Sequence, residues 1–319
     1  WANDEFSAIH VTEDGNNIWA ATSSGRIIRS ADRGDTWSSS ELQQGRSHIK
    51  AITFLNDRRG FLIGDGILLC TTDGGRTWNA CQLNERLDRL SLTRIAFDDL
   101  GANGIVSGTF GRDKPVILWT GDSGATWSRA VTEDSNTPSI GAVNWVGTQP
   151  GNKAYAIGYG GRTIQSEDGG RSWHLGRFWF ADDIFDASFS SDGVSGCTSQ
   201  GLNTQFRDPG ILCTVNQGRT WSRGTVLVSP QRRRVEPLRN LEMSSDGRSG
   251  LAVGAHGKWY RTVDYGKHWF QVGDSLLPQC MCVLKLVKGS TLWAAGEGGM
   301  LFQFIGPSDE KLDIQRFAI

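Results

Sequence analysis

Six copies of one eight-residue pattern are spaced along this chain: a hydroxyl residue, any, Asp, any, Gly, any, Thr or Ser, Trp. They open at Ser30, Thr71, Thr120, Ser166, Thr214 and Thr262 and close at Trp37, Trp78, Trp127, Trp173, Trp221 and Trp269. The acidic position recurs at Asp32, Asp73, Asp122, Asp168, Asn216 and Asp264, in steps of 41, 49, 46, 48 and 48 residues. A repeat of that length is one supersecondary unit stacked on its neighbours. The residue types say which unit. An Asp accepts hydrogen bonds from backbone N–H groups a few residues ahead, the Gly permits φ > 0, and the Trp buries a large apolar surface as the next strand begins. The repeat is therefore a hairpin loop with an anchor, and the unit is built of strands. Two copies depart from the pattern. Asn216 still accepts through its amide oxygen, and His268 stands where a hydroxyl is expected.

The pattern resembles the Asp-box, or BNR repeat, the loop between the third and fourth strands of β-propeller blades. The resemblance implies a fold and leaves function open, because such boxes occur in glycosidases, sorting receptors and non-enzymatic scaffolds alike, on the face away from any active site. The box residues are accordingly expected to be structural. Between the boxes, short apolar runs ending near Gly recur seven times, from Ile18-Trp19-Ala20-Ala21 to Leu292-Trp293-Ala294-Ala295-Gly296, and read as second strands; the fifth is placed at Val194-Ser195-Gly196. Seven second strands against six boxes predict an all-β chain, a seven-bladed β-propeller of four-stranded blades with Asp-box hairpins, one domain over residues 1–319. Trp1 to Phe6 is expected to close the seventh blade against Met300 to Phe304, with Leu312 to Ala318 as the rival segment; closure removes exposed sheet edges. The expected core is the six box Trps with Trp19, Trp293, Ile63, Ile157 and Val253.

With a net charge of −1, bulk electrostatics favours neither nucleic acid nor an acidic membrane. No run of 18 apolar residues exists, so no membrane span is expected. The chain opens on Trp1 rather than Met and shows no signal-peptide pattern, as in a processed product. Six Cys offer two local pairs, Cys70 with Cys81 and Cys197 with Cys213, while Cys280 and Cys282 are too close for an easy bridge. Strand-paired cysteines fit an exported, periplasmic or lumenal location, with buried free thiols as the alternative. No CxxC or zinc spacing is present, and neither a metal nor a cofactor is expected. Oligomeric state is left open.

The basic residues are 25 Arg against 8 Lys, and Arg suits planar, bidentate recognition of carboxylates. In a propeller the loops opposite the boxes would gather Arg26, Arg162 and Lys258, each just after a turn Gly. They would also gather Arg46, His48, Arg86, Arg89, Arg94, Arg177, the run Arg232-Arg233-Arg234, and Arg239. Phe178, Trp179 and Phe180 follow box four beside Asp182 and Asp183. Clustered Arg with aromatics is the composition of a protein-binding surface, and a solvated loop face is the plainer reading. The enzyme alternatives find less support. A sialidase needs an Arg triad, a Tyr–Glu pair and an acid, yet no Arg-Ile-Pro occurs and only four Tyr exist. A glycosidase of another kind needs two convergent carboxylates, and the spacing of Asp65, Asp98, Asp99, Asp182 and Asp183 shows no such pair. No catalytic residue is assigned.

Over essentially its whole length the chain resembles the seven-bladed photosystem II stability/assembly factor family and its bacterial relatives. The resemblance rests on Gly66 to Trp78 (GILLCTTDGGRTW), Gly161 to Trp173 (GRTIQSEDGGRSW) and the box-less ending Trp293 to Phe302 (WAAGEGGMLF). It implies a non-enzymatic scaffold whose Arg-rich patch receives a membrane-protein partner. Arg232, Arg233, Arg234 and Arg239 look like that patch, with Arg177, Trp179, Arg162 and Arg26 as further partner-binding residues. The alternative is a carbohydrate-active propeller, a lectin or sialidase-like glycosidase.

Overall fold

A computed structural model describes residues 5–42, 48–83, 89–98, 100–111, 114–132, 140–145, 153–158, 162–179, 184–203, 208–227, 238–254, 258–272, 281–287, 291–296, 300–305 and 313–318. These residues form strands, turns and loops, with no helix among them. Among the described residues the strands gather in seven sheets, each built on four successive strands as in propeller blades, and three of them take up a fifth strand. The chain divides into two compact units, Trp1–Ile95 with Met281–Ile319, and Ala96–Cys280.

Unit 1 holds three sheets. The first is Phe6–Val11, Ile18–Thr22, Arg26–Ser30 and Ser38–Glu41; the second is Ile49–Phe54, Gly60–Gly64, Ile67–Thr71 and Asn79–Ala80. The seventh is Met281–Val287, Thr291–Gly296, Met300–Ile305 and Asp313–Ala318. This last sheet corrects the expected closure. Asp313–Ala318 pairs with Met300–Ile305 without a break, from Met300↔Ala318 to Ile305↔Asp313. A hairpin between neighbouring segments costs less loop entropy than a pairing between opposite chain ends. The N-terminal segment is also committed elsewhere, because Phe6 already pairs with Thr22; residues 1–4 lie outside the described residues. The two ends still meet in one core, where Phe6, Ile9 and Ile18 pack with Trp293 and Leu301.

Unit 2 holds the rest of the third sheet, Gly104–Phe110, Lys114–Thr120 and Thr126–Arg129, whose first strand, Leu90–Phe97, runs across the division. The fourth is Ile140–Trp145, Ala154–Gly158, Arg162–Ser166 and Ser172–Trp179. The fifth is Ile184–Phe189, Gly196–Asn203, Asp208–Thr214 and Ser222–Arg223, and the sixth is Leu238–Met243, Gly250–Gly254, Trp259–Thr262 and His268–Val272. The second strand of the fifth sheet begins two residues later than expected. Val194 and Ser195 belong to a loop closed by Ser190, whose hydroxyl donates to the Ser195 carbonyl and accepts its N–H, both at 2.9 Å.

All six boxes share one hydrogen-bond circuit. The leading hydroxyl donates to the acidic side chain, at 2.7 Å from Ser30 to Asp32 and 2.8 Å from Thr71 to Asp73, and accepts the N–H of the box Gly at 2.8–2.9 Å. The acidic oxygen then accepts the backbone N–H four residues on, at 2.9 Å for both Thr36 and Thr77. The two departures are accommodated chemically. Asn216 accepts from Thr220 N–H at 2.9 Å but donates its amide to the Thr220 hydroxyl, reversing that bond. In box six, His268 Nδ1 reaches Asp264 Oδ2 at 2.7 Å, where the missing hydroxyl would stand.

The turn itself is of the mirror-image type that suits hairpins. Arg33, Ser123, Gln217 and Tyr265 have φ of 62°, 57°, 61° and 61°, and each precedes a Gly that is also at positive φ. A residue with a side chain costs ~1 kcal/mol or more in that region. The cost is met by docking: the N–H groups of these four residues donate to Asn16, Ala102, Val194 and Arg248 carbonyls at 2.9–3.1 Å. Each of these four boxes is thus fastened to the first hairpin of its own sheet.

The boxes also hold one sheet to the next. In the first, third and fifth sheets the residue just before the box lies opposite a second-strand residue, and this cross-strand pair meets the box glycines of the following sheet. Trp19 and Arg29 form such a pair, with the guanidinium 5.6 Å from the indole and Trp19 Nε1 donating to the Gly74 carbonyl at 2.9 Å. Ile105 and Trp119 meet Gly170, and Arg171 stacks on Trp119 at 4.9 Å. Cys197 and Cys213 do the same covalently: they are disulfide-bonded, and a Cβ on Gly266 would stand 2.2 Å from Cys213 Sγ. Cys70 and Cys81, the other pair foreseen, are free thiols.

Trp19, Trp293, Ile63, Ile157 and Val253 are buried as expected, and so are Trp127, Trp173 and Trp269. Trp37, Trp78 and Trp221 are only partly buried, which corrects the expectation for half of the box tryptophans. For Trp173 and Trp269 the cause of full burial is visible. After Arg129 the chain leaves its own sheet at Ala130, and Val131–Thr132 lies parallel to Ser172 and Trp173 as a fifth strand of the next sheet. After Arg223 it leaves at Gly224, and Thr225–Leu227 lies along His268, Trp269 and Phe270. The first, second and fifth sheets have four strands and keep their Trp at the edge.

Two outcomes follow. Burial alone would raise the Asp73 and Asp122 carboxyls, but hydrogen bonds from the hydroxyl and N–H of Thr77 and Thr126 outweigh it and hold both at about 2, below the ordinary 3.8. A depressed native pKa contributes stability that is present above about pH 4 and lost as the pH falls towards 2. The Asp73→Asn, Asp122→Asn double variant should therefore show a flatter Tm against pH in that window than the parent. Removing residues 313–318 should lower Tm by roughly 5 °C or more through the lost ladder, read by circular dichroism.

Candidate functional site

The expected partner-binding residues fall in both units. Arg26, in unit 1, opens the third strand of the first sheet, is half-buried, and pairs with Glu41 at 3.7 Å. Arg162, in unit 2, opens the equivalent strand of the fourth sheet, and its backbone faces Trp179, the last residue of that sheet's fourth strand. Arg177 lies two residues before Trp179 on the same strand, and Arg239 lies at an irregularity at the start of the first strand of the sixth sheet. Arg162 and Trp179 thus share one rung, at the end of the sheet away from box four. Arg232, Arg233 and Arg234 lie outside the described residues, as do Arg46, Arg86, Phe180, Asp182 and Asp183.

The candidate carboxylates are occupied. Asp65 accepts from Lys50 Nζ at 2.7 Å, and Lys50 also donates to Ser91 at 2.7 Å. Burial opposes ionisation there, yet the bonds from Lys50 and Ser91 leave the Asp65 carboxyl below its ordinary value, the wrong direction for a general acid. Asp98 is buried and caps its own loop, accepting Ala102 N–H at 2.8 Å and the Asn103 amide at 2.8 Å. Asp99 lies outside the described residues. Among the described residues no three His, Cys, Asp or Glu side chains are grouped to hold a metal, and no helix is long and apolar enough to cross a membrane.

At the box end of unit 2 the structure shows a feature the sequence reading missed. Between the fourth and fifth sheets lies a recess of 360 Å³, bounded by Tyr155, Gln165, Phe189, Gln217, Arg219 and Trp221. Tyr155 and Gln165 are the cross-strand pair of the fourth sheet, in the register that carries Ile105 with Trp119 and Cys197 with Cys213 in its neighbours. Tyr155 stacks with Phe189 at 6.4 Å and donates its hydroxyl to the Gln217 carbonyl at 3.3 Å; burial raises its pKa. Gln165 turns to His174, with 3.0 Å between the two Nε2 atoms, so the pair leaves open a seam that Trp119 and the disulfide fill elsewhere. Lys153 and Glu167 face each other at the rim, 4.0 Å apart. The signal was present in the sequence: the residue before box four is Gln, where its neighbours have Trp and Cys.

A comparison with curated proteins finds no match. Among solved structures, YCF48 bound to D1 peptide superposes with a TM-score of 0.71 at 19% identity, over 96% of this chain and 93% of that one. YCF48 from Cyanidioschyzon merolae gives 0.69 at 19% identity, over 95% and 96%. An ancestral GH74 enzyme gives 0.76 at 14% identity, and the likeness covers 98% of this chain but 46% of the enzyme. At these identities the likeness is one of fold. The family model described as photosynthesis system II assembly factor YCF48 matches residues 37–316, so the chain belongs to that family of BNR-type propellers.

Proposed function

We propose that this protein is a non-enzymatic assembly factor that docks a segment of a membrane-protein complex on its Arg-rich loop face. The observation that carries the reading is the family match over residues 37–316, together with a solved YCF48 holding a D1 peptide. In this reading the seven sheets are the blades of one closed propeller over residues 1–319, with Asp313–Ala318 completing the seventh. Arg26, Arg162, Arg177, Trp179, Arg232, Arg233, Arg234 and Arg239 are its partner-binding residues. Arg supplies bidentate pairing with peptide carboxylates and Trp supplies an apolar anchor, the composition of interface hot spots. No glycosidase role is proposed, because the likeness to the GH74 enzyme is one of fold and covers less than half of that chain. The Cys197–Cys213 bond supports a lumenal, periplasmic or other exported location.

The test is titration of a labelled D1 peptide into the full chain. The parent should bind saturably and with strong salt dependence. Replacing Arg232, Arg233 and Arg234 with Ser should weaken binding at least about tenfold with circular dichroism unchanged. A parent that ignores the peptide, or a triple variant that binds as well, would refute the reading. For the compartment, chain purified from its native source and denatured without reductant should gain at least two titratable thiols on reduction. No gain would remove the case for an oxidising location.

A further inference from the structure

Two boxes of unit 2 are covered by a strand arriving from the preceding sheet of the same unit, and the two cases are alike in detail. Val131 N–H donates to the Arg171 carbonyl at 2.8 Å, and Thr225 N–H donates to the Lys267 carbonyl at 2.8 Å. In both the acceptor is the sixth residue of the box. In both a small residue, Ala130 or Gly224, lets the chain pass; a Cβ on Gly224 would stand 2.6 Å from the Gly266 carbonyl oxygen. An apolar side chain then packs in the cluster of the box Trp: Ala130 with Trp173, and Val226 with Trp269.

The fifth sheet lies between these two and, among the described residues, receives no such strand. The strand that would supply it, Ser172–Trp179, stays in its own sheet to the end, with Arg162 opposite Trp179. Gly176, at the position of Ala130 and Gly224, packs instead on Thr163 of the same sheet. The sixth residue of box five is Arg219, Trp221 remains partly buried, and the recess opens beside both.

We propose that this edge, from Arg219 to Arg223, is a docking slot for an extended segment of a partner protein, which adds as a parallel fifth strand across the recess and covers Trp221. The two inserted strands within unit 2 supply the chemistry of the occupant: a Gly or Ala, then β-branched or hydroxyl residues as in Val131-Thr132 and Thr225-Val226. Main-chain hydrogen bonds to the Arg219 carbonyl side hold the segment, and alternate side chains select it. The slot lies at the box end of the sheets, apart from Arg162 and Trp179, and does not depend on the Arg-rich face.

The probe is a fluorescent, end-capped hexapeptide copied from Ser222 to Leu227, titrated into the full chain by anisotropy. It should bind saturably, and a photo-crosslinker at its Val should label the Arg219–Arg223 segment. Methylating the peptide nitrogen equivalent to Thr225 should weaken binding at least about tenfold, because it removes the donor on which strand addition depends. Gln165→Trp, which copies Trp119 into the recess, should block binding with Tm unchanged or raised. An absence of binding, equal binding of the methylated peptide, equal binding by Gln165→Trp, or crosslinks confined to another sheet would each overturn the proposal. The methylated peptide tests it on the parent protein even if the substitution fails to fold.

Discussion

Everything in this fold depends on how one loop satisfies its own polar groups. A hairpin of the mirror-image type exposes N–H groups that a buried seam cannot leave unpaired. The box answers with one hydroxyl and one carboxylate: Thr71 takes the Gly75 N–H while Asp73 takes those of Arg76 and Thr77. With its polar groups closed on themselves, the loop can be pressed against a neighbouring sheet. Its glycines let Trp19, Ile105 or the Cys197–Cys213 bond approach within contact distance.

The seams then reveal what is fixed and what is free. The register is constant: the residue before the box faces a second-strand residue, and the two lean on the next box. The content is not constant. An indole with a guanidinium, an aliphatic residue with an indole, a phenol with an amide and a disulfide all serve. Interiors tolerate such exchange when volume is kept, and where volume is not kept an opening appears. The Tyr155–Gln165 seam is that opening, so a recess arises here from a packing rule partly broken.

Fold was legible because hydrogen-bond chemistry repeats visibly. Hydroxyl, Asp, Gly and Trp at fixed offsets cannot be mistaken for helix, and even His268 at a Thr position kept the circuit. Trp burial was legible only in part, because it depends on whether a strand from the preceding sheet covers the edge, and that turns on a small residue such as Ala130 or Gly224 far from the Trp in sequence. Closure was misread because Trp1 looked like a box residue while Asp313–Ala318 carries no motif. A plain alternating hairpin competes well without one. The proposed Arg-rich face was read from composition alone; Arg162 and Trp179 share a rung, which spacing did not announce.

The disulfide has a consequence for what one seam can tolerate. Seams filled by indoles, aliphatics or phenols are held by packing, and an exchange that keeps volume keeps them. The seam on Gly266 is filled by the Cys197–Cys213 pair, and both sulfurs lie where a Cβ on that Gly would stand. The pair joins the second and third strands of the fifth sheet, so neither residue can be exchanged alone. One seam of unit 2 is therefore fixed by a bond where its neighbours are fixed by shape.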